Sequence, residues 1–110
     1  MLIDLRTYTF HPGKLGKFLK LSREQILPLQ TRHCGHCIFY ATTETGTLNQ
    51  LVQAWAYVDA ADRDRRRAAL WADPEWLRLG EIALPWIVHQ ENRLLKPTEF
   101  SPALWAPGGT

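Results

Sequence analysis

The stretch HCIFYATTETGTLNQLVQAWAYVDAADRDRRRAAL, residues 36–70, decides the fold. Residues 36–44 are rich in β-branched and aromatic side chains and predict a strand, TGT at 45–47 predicts a turn, and LNQLVQAWAY at 48–57 predicts the next strand. Asp59 then stands as an N-cap, with Asp62 three residues later, in front of good helix formers. The stretch therefore predicts a β-hairpin followed by a helix.

The flanking segments supply another strand and helix on the N-terminal side and a last strand on the other. LIDLRTYTF at 2–10 alternates between two sets of side chains, as a strand does, and HPG ends it. From Lys14 apolar residues recur at helical spacing as far as Ile26, which predicts an amphipathic helix that bends or ends near Pro28. Pro74 begins a short helical continuation, and LPWIVHQENRLL at 84–95 predicts the last strand.

The predicted order of elements, β-α-β-β-α-β, is typical of the ferredoxin-like α+β fold. Such a fold has a four-stranded antiparallel sheet with two helices on one face. We predict this domain over residues 1–97 and an irregular tail over 98–110, where proline and glycine recur. The second face of the sheet needs a cover, and a homodimer with the two sheets facing each other supplies one.

Composition argues against several classes of partner. The net charge of +2 is too small to indicate a nucleic-acid or anionic-membrane partner. We interpret the run of Arg63, Arg65, Arg66 and Arg67 as a solvated helix face, with Asp59–Arg63 and Asp62–Arg66 as ion pairs four residues apart.

No apolar run approaches the roughly 20 residues that cross a bilayer. Asp4 and Arg6 interrupt what would be the apolar part of a signal peptide, so we predict a cytoplasmic protein.

Three ordered blocks of the chain resemble the NIPSNAP family. They are DLRTYTFHPGK at 4–14, TTETGTLNQLVQAWAYVDAADRDRRRAAL at 42–70 with DPEW at 73–76, and QENRLLKPTEFSP at 90–102. The resemblance implies a ferredoxin-like fold that pairs as a dimeric α+β barrel, and it brings no set of catalytic residues. Barrels of this kind also occur in cofactor-independent monooxygenases and haem-degrading enzymes, but a shared fold does not fix function.

The predicted strands hold a set of polar and aromatic side chains on a rigid sheet. Residues two apart on one strand share a face, so Arg6 lies beside Tyr8 and Trp55 beside Tyr57. A small-ligand site needs an apolar pocket with a few convergent polar groups, which these residues could provide. The favoured alternative is that they form the core of the dimer interface and its hydrogen bonds. The candidate ligand-binding residues are Arg6, Tyr8, Tyr40, Gln53, Trp55, Tyr57 and Asn92.

Two further hypotheses concern chemistry. The first is a cofactor-independent monooxygenase acting on a small aromatic molecule, with His89 on the last strand as the candidate acid or base. The second is a metal or redox loop in RHCGHC at 32–37, with the candidate ligands His33, Cys34, His36 and Cys37. Zinc usually takes two pairs of ligands from separate segments, and here all four lie within five residues. No motif in the sequence indicates a bound cofactor, and we predict none.

Overall fold

The computed structural model describes residues 1–102, so the part of the predicted tail from residue 103 onward lies outside the described residues. The strands are β1 (Leu2–Phe10), β2 (His36–Thr42), β3 (Gln50–Tyr57) and β4 (Ile87–Leu95). The helices are α1 (Leu15–Leu21), α2 (Leu27–Cys34), α3 (Ala60–Trp71) and α4 (Pro74–Ala83), with a π-helical turn at Ser22–Ile26 and a 3-10 turn at Leu84–Trp86.

The four strands form one antiparallel sheet in the order β2-β3-β1-β4. The two central strands, β1 and β3, pair from Leu2 opposite Tyr57 to Thr9 opposite Gln50. Helices from the first and second connections pack on one face, so the predicted ferredoxin-like α+β fold is confirmed.

The first helical connection is predicted to bend or end near Pro28, and of these two alternatives the end is wrong, because the helix continues past Pro28. The chain stays helical from Leu15 to Cys34, and the turn immediately before Pro28 is π-helical, with the Leu27 N–H bonded to the Ser22 carbonyl. In a regular helix proline clashes with the carbonyl four residues earlier. The wider turn lets the helix pass Pro28, and it ends at Gly35, whose φ is 88°.

The aromatic-rich side of the sheet faces the helices, and we call it the helix face. Asp4 on β1 bonds Arg63 of α3, Tyr8 packs edge-on against Phe18, and residues opposite them in the sheet share this face. Trp55 and Tyr57 are therefore covered by the helices of their own chain and are each 1% exposed. The interpretation of these residues as a dimer core is wrong, because they point into the subunit.

The other side of the sheet is mostly short and aliphatic at its centre and carries longer polar and aromatic side chains at its edges, and we call it the open face. Within the described residues no helix covers it. Its centre comes from β1 and β3, and its two edges come from β2 and β4. Strand β4 also presents the charged residues Glu91 and Arg93. The apolar members of the open face are Ile3, Leu5, Phe39, Ala41, Val52, Ala54, Ala56 and Leu95.

The arginine run on α3 is only partly the solvated face that we predicted. The Asp62–Arg66 pair is present at 2.9 Å, and Arg65, the most exposed of the paired arginines, also bonds Asp62. Arg63 turns inward to Asp4 at 3.0 Å instead of pairing with Asp59, whose carboxylate accepts the Asp62 N–H as the helix cap. The run therefore helps to fix α3 on the sheet.

Candidate functional site

A cavity of about 140 Å³ lies between the helix face of the sheet and helices α2, α3 and α4. Most of its surface is apolar, with Phe18, Ile26 and Leu79 at its inner side. Trp71 and Leu84 also line it and are about half exposed, which places its mouth between α3 and the end of α4. Four of the seven predicted ligand-binding residues line this cavity: Arg6, Tyr8, Tyr40 and Gln53.

Arg6 is held in place by a hydrogen-bonded network. Its Nη1 donates to Asp4 Oδ2 at 3.1 Å, and its Nε donates to the Tyr8 hydroxyl at 3.0 Å. Asp4 is fully buried and also accepts from Arg63 and Asn92. Burial opposes charge on Arg6, but Tyr8 and Asp4 outweigh burial and raise the pKa of the guanidinium, which stays positively charged.

The other two predicted lining residues are also fixed by neighbours. The indole N–H of Trp55 donates to Gln53 Oε1 at 2.7 Å, so Trp55 orients the Gln53 amide from behind the cavity wall. The hydroxyl of Tyr40 hydrogen-bonds the hydroxyl of Ser22 in the π-helical turn. Burial raises the pKa of Tyr40 far above its usual value, so the phenol is neutral at physiological pH.

The remaining sequence candidates lie outside the cavity wall. Tyr57 packs against Cys34, and Asn92 donates to Asp4 Oδ1 at 3.1 Å, behind Arg6. His89 lies on β4 opposite Thr9, on the open face, and its side chain is 64% exposed beside Glu91. The sheet therefore separates His89 from the cavity.

Sequence reasoning missed several lining residues contributed by the helices. Gln30 lies on the buried stripe of α2, four residues from Ile26 and four from Cys34, and a polar residue on such a stripe is a detectable signal. The apolar spacing predicts this helix only as far as Ile26, with a bend or an end near Pro28, so the prediction does not extend to Gln30. Further missed lining residues are Arg67 and Trp71 on α3, Trp76 and Gly80 on α4, and Gln90 on β4.

The four residues of the RHCGHC stretch that we considered as ligands have different surroundings. His33 Nε2 lies 2.8 Å from Asp73 Oδ2, and Cys34 is buried against Tyr57. Cys37 donates to the Phe39 carbonyl, and burial raises the pKa of its thiol to about 11. His36 begins β2 on the open face. Among residues 1–102, no three histidine, cysteine or acidic side chains are grouped as metal ligands would be.

The described part of the chain contains no helix of the length and apolar character needed to cross a membrane. At the level of fold, the structure is similar to an antibiotic biosynthesis monooxygenase, with a TM-score of 0.62 and 18% identity over 89% of this chain and 99% of that one.

Closer similarity exists to proteins of a single family. A NIPSNAP domain protein from Burkholderia xenovorans has a TM-score of 0.89 and 36% identity, covering 94% of this chain and 100% of that one. Protein NipSnap of Drosophila melanogaster is 34% identical over 102 residues, 93% of this chain and 37% of that protein. The chain spans little more than a third of the curated relatives it matches. The NIPSNAP family model matches residues 3–102, and the chain belongs to the NIPSNAP family.

Proposed function

We propose that this chain forms a homodimer that binds a small molecule in the cavity beneath its helices. The observation that carries the proposal is the cavity itself, which is apolar over most of its wall and receives the polar groups of Arg6, Tyr8 and Gln53 at one side. Small-molecule sites combine these two properties. Its volume of about 140 Å³ is close to that of an engineered apolar cavity that binds benzene, so it suits a molecule with one ring.

The preorganisation of the polar groups supports binding. Arg6, Gln53 and Tyr40 each have a side-chain partner that fixes their orientation, in Asp4, Trp55 and Ser22 respectively. A ligand that meets groups already held in position loses less free energy to the ordering of side chains. Asp4, Trp55 and Asn92 therefore support the site without touching the ligand.

The open face supports the homodimer. Its centre combines Leu5 and Val52 with small alanines, and at its edge Phe39 is 44% exposed. A sheet face with an apolar centre that no element within residues 1–102 covers favours association. Two such faces related by a twofold axis bury each other, and each subunit keeps its own cavity on the far side.

The cavity is tested by blocking it. Toluene, a neutral one-ring molecule, is titrated into the protein while the amide and indole resonances are followed by NMR. We expect saturable shifts at Trp76 and Gln53, which are lost in Ala83→Phe because Ala83 lines the cavity and is 4% exposed. Ala68→Phe, on the exposed side of α3, is the matched control and keeps the response. Identical titrations of both variants would contradict the proposal.

The homodimer is tested by placing one charge on each of two surfaces. The wild-type protein should have twice the 12.7 kDa mass of one chain in light scattering, and Leu5→Glu on the open face should reduce that mass or cause aggregation. Leu77→Glu changes a leucine that is 48% exposed on α4 and should leave the mass unchanged. A wild-type particle with the mass of one chain would rule out the dimer.

A cofactor-independent monooxygenase is the second candidate, and it rests on the similarity of fold alone. In that case the cavity would hold the aromatic substrate, and His89, on the opposite side of the sheet, would have no contact with it. Oxygen consumption with simple phenols, measured without added metal or flavin, distinguishes the two functions. We expect no oxygen consumption. Oxygen consumption by the wild-type protein that is lost in Ala83→Phe would favour the enzyme.

A further inference from the structure

Positive charge without a matching acid distinguishes the wall of the cavity. Among the described residues that line it are two arginines, Arg6 and Arg67, and no aspartate or glutamate. The charge of Arg6 is balanced from behind by Asp4, which is itself shared with Arg63. Arg63 also lies 3.8 Å from the exposed carboxylate of Asp64, so the positive charge at the wall that lacks a matching carboxylate is that of Arg67.

Arg67 differs from the other arginines of its run. Arg63, Arg65 and Arg66 all form ion pairs with aspartates. The guanidinium of Arg67 has no ion pair or hydrogen bond with any residue in 1–102, although it is partly buried and lines the cavity. An arginine that is partly desolvated without a partner is costly, so an anion in the cavity would find an unused and favourable contact.

Gln30 supplies a second, independent observation. Its side chain is 2% exposed and lines the cavity from α2, and its amide bonds no other side chain or backbone group of the described chain. An amide offers two donors and an oxygen acceptor, and buried polar groups normally have partners. The amide is in contact with the cavity rather than sealed in the core, since none of the enclosed side-chain polar atoms in the described chain lacks a partner.

We infer that the ligand of this cavity is a small carboxylate whose remaining body is apolar and no larger than one ring. The carboxylate would lie between the Arg67 guanidinium and the Gln30 amide, and its apolar body would pack against Phe18, Ile26 and Leu79. The planar fork of arginine matches a carboxylate in two parallel hydrogen bonds. The inference rests on the proposed binding function and adds the chemical class of the ligand.

The test compares two probes of nearly the same shape, benzoate and benzamide, in calorimetric and NMR titrations at one ionic strength. We expect benzoate to bind at least about tenfold more tightly than benzamide, because a hydrogen bond to a charged group is stronger than one to a neutral group. Arg67→Gln should remove most of that difference. Gln30→Leu, which keeps the size of the side chain, should weaken benzoate about tenfold without loss of thermal stability.

The matched control is Arg65→Gln, which makes the same change of charge on the same helix at a residue whose side chain is 71% exposed. It should leave the affinities for both probes unchanged. If benzoate binds no more tightly than benzamide, or if Arg65→Gln weakens benzoate as much as Arg67→Gln, the carboxylate inference is overturned. The proposed binding function would survive that result provided that toluene still shifts the NMR resonances of Trp76. If none of the three probes binds, both the binding function and the carboxylate inference are overturned.

Discussion

Replacing Asp4 by asparagine should destabilise the protein severely, although the side chain keeps its shape. Asp4 is fully buried on β1 and joins three elements, through Arg63 of α3, Asn92 of β4 and its neighbour Arg6. Asparagine leaves two largely buried guanidinium groups without their shared carboxylate. Breaking a buried ion pair by removing one partner costs about 3–5 kcal/mol, a large fraction of the roughly 5–15 kcal/mol that stabilises a domain.

Urea denaturation followed by tryptophan fluorescence measures this loss. With a slope of about 1.5 kcal/mol per molar urea, the midpoint should fall by about 2–3 M. Asp64→Asn is the matched control, because Asp64 also approaches Arg63, at 3.8 Å, but is 78% exposed. That variant should change stability by no more than about 0.5 kcal/mol. Equal effects of the two substitutions would refute the assignment of Asp4 as the centre of the network.

The pH dependence of the unfolding free energy tests the role of Asp4 independently. Burial works to raise the pKa of Asp4, but Arg6, Asn92 and Arg63 outweigh burial and hold this pKa below its usual value of 3.8. The ionised group therefore contributes stability above about pH 4, and this contribution disappears as the pH falls through the lowered pKa. The difference in unfolding free energy between wild type and Asp4→Asn should consequently shrink on going from pH 7 to pH 3.

Three other predictions concern single residues. Gly35→Ala should lower the free energy of unfolding, measured by urea denaturation, by more than about 1 kcal/mol, because φ is 88° and the new Cβ would lie 3.1 Å from Arg66 Nη1. Gly16→Ala is the control, because Gly16 has open space around it on α1, and it should be neutral or stabilising. Asp59→Ala should lower stability by about 1 kcal/mol through loss of the N-cap on α3, and an unchanged unfolding midpoint would contradict it. Cys37 should react slowly with iodoacetamide at pH 8, because its thiol pKa is raised to about 11, and unfolding in urea should accelerate the reaction.

Much of the fold is predictable because local signals and the final structure agree. The alternation in residues 2–10, the turn after residue 44 and the cap at Asp59 each reflect backbone preferences that do not depend on distant residues. Pro28 is the exception. Its local preference is to end a helix, but the packing of Leu29, Gln30 and Cys34 beneath it outweighs that preference through a π-helical turn.

The cavity is less predictable, because it forms where separate segments meet. Period-two alternation paired Arg6 with Tyr8, and both line the wall. It could not reveal that Trp55 supports Gln53 from behind, or that Arg67 differs from Arg65 two residues earlier. The difference between Arg67 and Arg65 depends on how α3 packs on the sheet, which many weak side-chain contacts set together.

By itself the sequence determined the order of strands and helices and the membership of the NIPSNAP family. Both depend on local patterns within short segments of the chain, which can be recognised without knowing how those segments pack. Only the tertiary structure decided which side of the sheet the helices cover. Both sides of β1 carry apolar residues, so alternation alone leaves the choice open. The contact of Asp4 with Arg63, 59 residues later in the chain, favours the observed side together with the apolar packing of the helices, because a buried carboxylate is stable only where its positive partners can reach it.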